Sequence, residues 1–104
     1  MKPARLRSLA KRDLAAEVAY YRREGGAVVA RRLRQAAKGA LDRVELDPAI
    51  GSPALGRALG IEGMRVWRLD GFPLSFWYFE REDHVDVVRL VGQRQDQSGA
   101  LIES

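Results

Sequence analysis

Met64-Arg65-Val66-Trp67-Arg68-Leu69, Leu74-Ser75-Phe76-Trp77-Tyr78-Phe79-Glu80 and Val85-Asp86-Val87-Val88-Arg89-Leu90-Val91 read as three β-strands. Each is dominated by the β-branched and aromatic residues that fit a pleated surface. Asp70-Gly71-Phe72-Pro73 and Arg81-Glu82-Asp83-His84 separate them and carry turn chemistry: Gly supplies positive φ, Pro fixes φ, and a charged cluster belongs in water. Such short connections predict a three-stranded antiparallel meander. Both Trp, all three Phe and one Tyr lie within it, so it is the surface on which the rest of the chain packs.

Strict alternation along these strands assigns two faces. The middle strand, with the residue two before it, offers Phe72, Leu74, Phe76 and Tyr78 to one side and Ser75, Trp77 and Phe79 to the other. The last offers Val85, Val87, Arg89 and Val91 to one side and Asp86, Val88 and Leu90 to the other. Both faces are substantially apolar, so the strands are expected to be covered on two sides. Helices cover one. The chain ends, a partner chain or a target must cover the second.

Upstream, residues 4–9 alternate small or apolar with charged residues, as a short first strand at the sheet edge or an extended lead-in would. Ser8 is placed as a helix N-cap. Ala10, Leu14, Val18 and Tyr21 then recur at helical spacing, predicting a helix over 9–24 with Arg12, Asp13, Glu17, Arg22 and Arg23 on its other positions. Gly25-Gly26 ends it. A second helix to about Leu46 carries Val29, Leu33, Ala36, Ala37, Ala40 and Val44 on one face. With a short loop between them, the two helices form an antiparallel hairpin. Asp47-Pro48 stops the second helix, because the residue before proline is driven out of the helical region. Residues 49–56 read as a Gly/Pro loop, 92–99 as polar loop and 100–102 as a short closing element.

The 104 residues make one domain. Eighteen Lys+Arg against fourteen Asp+Glu give a net charge of +4, nearly all from Arg, with Lys only at 2, 11 and 38. Planar guanidinium groups suit carboxylates and phosphates, which points to an acidic partner or nucleic acid. With no cysteine, disulfides, thiolate metal sites and Cys nucleophiles are excluded. No apolar run approaches a membrane span and the start lacks a secretion signal, so the expectation is a soluble cytoplasmic protein with no membrane partner.

Catalytic constellations are absent. The single histidine, His84, falls in a turn, and Glu80, Glu82, Asp83 and Asp86 around it read as solvated. No metal ligand set and no phosphate-cradling glycine loop occurs, so no metal and no cofactor is expected. The arginines Arg65, Arg68, Arg89 and Arg94 lie on the strands or just beyond them. A strand arginine beside aromatics suits an anion; pairing of Arg89 with a carboxylate from a helix or loop is the competing reading.

Taken together, Ala10-x-x-Asp13-Leu14, Tyr20-Tyr21-x-x-x-Gly25-Gly26, Ala30-x-x-Leu33, Asp47-Pro48-x-x-Gly51-x-Pro53, Gly63-Met64-Arg65-x-Trp67, Phe72-Pro73, Phe76-x-Tyr78 and Val87-x-Arg89-Leu90 resemble the ParE branch of the RelE/ParE toxin superfamily. The resemblance runs from Ala10 to Asp96. It implies an α+β fold with a short N-terminal strand, an antiparallel two-helix hairpin and a three-stranded antiparallel meander. It also implies the toxin of a type II toxin-antitoxin module, of the plasmid-stabilization kind, in a heterodimer or larger assembly with an antitoxin whose tail folds on the toxin.

ParE-like toxins resemble binding inhibitors of DNA gyrase, whereas RelE-like toxins cut ribosome-bound messenger RNA. Here the segment after the last strand reads Val91-Gly92-Gln93-Arg94-Gln95-Asp96, without the histidine common in ParE-like chains. The RelE catalytic arginine position is Pro73 or Leu74, and no Tyr or His follows Arg94. With no general acid or base placed, the expectation is a gyrase-binding inhibitor and not an enzyme. Arg65, Arg89 and Arg94 are its target-binding residues and Trp67, Trp77 and Phe79 its antitoxin-binding anchors. The alternative is a ribosome-dependent endoribonuclease using Arg65, Arg68, Arg89 and Arg94, and a third is a degenerate toxin without activity.

Overall fold

A computed structural model describes residues 1–92 of the chain. Strand β1 (Ala4–Leu6) leads into the helical span α1 (Ser8–Leu46), and a single 3-10 turn (Pro48–Ile50) and a short helix α2 (Ala54–Leu59) follow. Strands β2 (Met64–Arg68), β3 (Leu74–Glu80) and β4 (Val85–Gly92) complete the described chain. The sheet order is β1-β4-β3-β2; β1 runs parallel to β4, and the other pairs are antiparallel. The sheet is therefore four-stranded and mixed, not a three-stranded antiparallel meander alone. The segment 4–6 is an edge strand and not an extended lead-in, held by hydrogen bonds of 2.9 Å from Val85 N to Pro3 O and from Arg7 N to Val87 O.

The expected pair of helices joined by a loop is corrected to one helical span interrupted at one residue. Gly26, with φ 89° and ψ 178°, is the only non-helical position between Ser8 and Leu46. That backbone region is open almost solely to glycine. A straight helix of 39 residues would be about 58 Å long at 1.5 Å per residue, beyond the molecule's greatest extent of 38 Å. The span instead folds back at Gly26, and Glu45 near its end reaches the residues before its start: Ala4 N donates to Glu45 Oε2 at 2.7 Å. The start departs from expectation too, since Arg7 and not Ser8 holds the cap position, with no side-chain capping bond. The stop is as read: Asp47, with φ −142°, precedes Pro48.

Ala10, Val18, Ala30, Leu33, Ala37, Ala40 and Val44 of α1 pack on Leu74, Phe76, Tyr78, Val85, Val87 and Leu90 of the sheet. Small residues on the helical side let the aromatic side of β3 approach closely. Strict alternation fails in β4, where Trp77 pairs with Arg89 but Tyr78 pairs with Val87, leaving Val88 as the extra residue of a bulge. Val85 and Val87 therefore face the core before the bulge and Leu90 faces it afterwards. Arg89 is turned away from Val85 and Val87, with which alternation grouped it, and stays on the side of Val91.

The Gly/Pro segment is more ordered than a loop. Tyr78 Oη donates to Pro48 O at 2.7 Å and accepts from Gly51 N at 2.9 Å. Arg65 Nη1 donates to Ala49 O at 3.1 Å and Gly51 O at 2.6 Å. Ser52 and Val66 exchange backbone bonds of 3.0 Å in both directions, which closes part of the β2 edge. A Cβ on Gly51 would lie 2.5 Å from Tyr78 Oη, so only glycine lets the hydroxyl reach the backbone there. Helix α2, absent from the sequence reading, then brings Gly56 against Met64 and Ile61.

Candidate functional site

Two surfaces carry the chemistry: the sheet face turned away from the helical span, and a groove along that span. Cross-strand partners share a side, so the register places Val66, Trp77 and Arg89 together, with Phe79 and Asp86 one row along and Arg68 and Ser75 on the other flank. Trp77 and Phe79 are half-buried there. Trp67 is not with them. It pairs with Phe76, which is fully buried in the core, and packs against the helical side. The three aromatic anchors expected to act together thus divide between opposite faces.

The arginines divide as well. Arg65 is engaged with the carbonyls of Ala49 and Gly51. Arg89 forms a two-point pair with Asp13, Nε to Oδ2 at 2.8 Å and Nη2 to Oδ1 at 3.2 Å. Asp13 Oδ2 also accepts from Leu90 N at 2.9 Å, satisfying a backbone donor next to the bulge, where β1 has already ended. The Asp13 hydrogen bond raises the Arg89 pKa. Arg68 is exposed at the end of β2, and Arg94 lies outside the described residues.

Asp86, grouped with the solvated turn by sequence, is instead 4% exposed and sits between two arginines. Arg7 donates to it through Nε and Nη2, both at 2.8 Å, and Arg81 through Nε and Nη2 at 3.1 and 3.0 Å. The Arg7 hydrogen bonds, with those of Arg81, lower its pKa to about 2 against the opposing effect of burial. The Arg81 guanidinium also lies 4.7 Å from the centre of the Phe79 ring. Arg7 and Asp86 are 79 positions apart, so no local pattern joins them. Glu17 is another acidic residue that periodicity left outside and the fold buries, at 2% exposure.

His84 stands at the β3–β4 turn with Nδ1 2.7 Å from Asp83 Oδ1, a contact that lowers the Asp83 pKa. Among the described residues no group of acidic or histidine side chains is arranged to hold a metal ion, and no helix is long and apolar enough to cross a membrane.

The groove runs between the two arms of α1 and has a volume of about 740 Å³. Leu6, Leu14, Val18, Ala37 and Leu41 are among its apolar lining residues. Every charged residue on it is basic: Lys11, Arg22, Arg23, Arg34 and Lys38. In the sequence these five basic residues are spread over the two separate helical stretches. Only the reversal at Gly26 gathers them along one trough.

The sequence family described as the ParE toxin of the type II toxin-antitoxin system parDE matches residues 4–97 of the chain. No curated protein matches it significantly. Among solved structures, a chain of the chromosomal ParDE TA system from P. aeruginosa superposes with a TM-score of 0.74 at 18% identity, covering 88% of this chain and 96% of that one. At that identity the likeness is one of fold.

Proposed function

The chain belongs to the family of ParE toxins of type II toxin-antitoxin systems, and from that membership we propose that it is an inhibitory binding protein, acting on DNA gyrase in the cytoplasm and silenced by a cognate antitoxin. The groove carries this reading. An apolar trough whose charged lining residues are all cationic suits an acidic amphipathic segment, its apolar stripe on Leu14, Val18 and Leu41 and its carboxylates toward Lys11, Arg34 and Lys38. Such a segment, disordered alone, folds as it binds. The antitoxin's main seat is thus on the helical arms, and Trp77 and Phe79 on the outer sheet face are available for the far end of its tail or for the target.

Ribonuclease chemistry draws little support from the same geometry. Two of the four arginines it would place on phosphates are spent on internal partners, Arg65 on carbonyls and Arg89 on Asp13. His84 is held by Asp83 in a surface turn at the opposite end of β3 from Arg68 and offers no acid or base beside a 2′-hydroxyl. Expression without antitoxin should arrest growth, and primer extension on translated messages should show no codon-positioned cuts. Such cuts would overturn this reading in favour of a ribosome-dependent endoribonuclease. Arg94→Ala is expected to weaken growth arrest while leaving the midpoint of thermal unfolding in place; unchanged arrest at normal protein levels would remove Arg94 from the target contact.

A further inference from the structure

Arg43, Trp67, Arg68 and Asp70 line a small cavity of about 200 Å³ with Gly39 and Ala40 at its helical side. We propose that this cavity is a contact site for single-stranded nucleic acid, with a phosphodiester between Arg43 and Arg68 and a base against Trp67.

The two guanidinium groups are the first observation. The side chains of Arg7, Arg65, Arg81 and Arg89 are all engaged within the protein, whereas the guanidinium of neither Arg43 nor Arg68 makes a hydrogen bond or ion pair among the described residues. Both are exposed, so their donors are free for an external anion. Asp70 on the same rim offsets one of the two positive charges, and a net charge of +1 matches a monoanionic phosphodiester better than a dianionic phosphate. Gly39 has open space where a side chain would stand, which lets a backbone of phosphates approach the helix closely.

Trp67 is the second observation. It is half-buried on the core side of β2, yet it still lines the cavity, so an indole beside two unpaired cations is presented at the surface. Aromatic side chains interleaved with basic ones are the means by which proteins hold unpaired bases without reading their sequence. The volume, below the roughly 300 Å³ at which drug-sized ligand pockets begin, suits one phosphate and one stacked edge of a longer strand and not an enclosed small molecule. The site also stays open when the groove is filled. At about 100° per residue, Gly39 and Arg43 lie on the opposite side of α1 from Arg34, Ala37, Lys38 and Leu41.

Fluorescence anisotropy of a short labelled oligothymidylate against the purified full-length chain tests the site. Binding should be saturable at low salt, should weaken with added salt, and should quench tryptophan emission. Arg43→Gln and Arg68→Gln are exposed substitutions that should leave the circular dichroism spectrum unchanged, and each should lower the slope of log affinity against log salt by about 0.7, the value of one lost phosphate contact on a single strand. Unchanged slopes, or no binding at low salt, would overturn the proposal. Equal competition by a polyglutamate of matched charge would overturn it too, assigning the cations to an acidic protein surface.

Discussion

Asp86 is the residue whose surroundings most repay a measurement. Its carboxylate is nearly buried, and four hydrogen bonds from Arg7 and Arg81 join β1, β4 and the β3–β4 turn through it. Because its pKa falls to about 2 in the folded chain, the folded state favours the ionised form. The associated stability is complete above the unfolded value near 4 and is lost as pH falls through about 2. The shift corresponds to about 2 kcal/mol. Urea unfolding followed from pH 5 to pH 2 should show that loss, and Asp86→Asn should flatten the curve while lowering stability at neutral pH. Tyr78→Phe is a second residue-scale case: it strands Gly51 N and Pro48 O and should cost about 1–3 kcal/mol in the same assay. The identities of these residues were plain in the sequence, but their partners were not. Asp86 lay beside Glu82 and Asp83 and read as solvated, because its first partner stands at the other end of the chain. Arg65 and Tyr78 read as a candidate target contact and a core aromatic. In the fold they clasp the Asp47-Pro48-x-x-Gly51 segment, so three of the stretches that carried the family resemblance meet at one place.

At the scale of elements, the strands were legible nearly to their ends, because β-branched and aromatic runs punctuated by Gly, Pro and charge have few other solutions. The helical stop at Asp47 was legible for the same local reason. Two features were not. The bulge at Val88 leaves no mark in an alternating sequence, and it reverses the facing of everything after it, Arg89 included. Helix α2 is six residues long in a Gly/Pro-rich stretch: five of its residues are good helix formers, but so short a helix shows no periodicity and is marginal without its packing on β2. The reversal of α1 was legible as a glycine pair, but its economy was not, since one residue with positive φ suffices. Gly26→Ala should therefore destabilise by about 1–3 kcal/mol, although a Cβ there meets nothing within 4 Å, because the cost is backbone strain and not a clash. Gly39 is also free of neighbours within 4 Å but is helical, and Gly39→Ala should stabilise by about 0.5–1 kcal/mol. Thermal unfolding of the two variants side by side separates conformational cost from helix propensity.

At the scale of the molecule, the sequence conveyed an α+β domain with a sheet in need of cover on a second side, and the family resemblance supplied a partner. It did not convey that β1 adds at the sheet edge parallel to β4, nor that the arms of α1 gather five basic residues along an apolar trough. Both are long-range outcomes that no window of sequence contains. If the trough seats the antitoxin, reversing Arg34 and Lys38 to Glu should abolish neutralisation by the antitoxin and leave growth arrest intact, read as growth curves on co-expression. Loss of arrest itself would place those residues at the target instead. The central claim, that this member of the ParE family acts by binding gyrase, is tested most directly by a supercoiling assay with the purified toxin and purified gyrase. The expected result is dose-dependent inhibition of supercoiling that is relieved by stoichiometric antitoxin. Full supercoiling at a large excess of a toxin preparation that still arrests growth would contradict it.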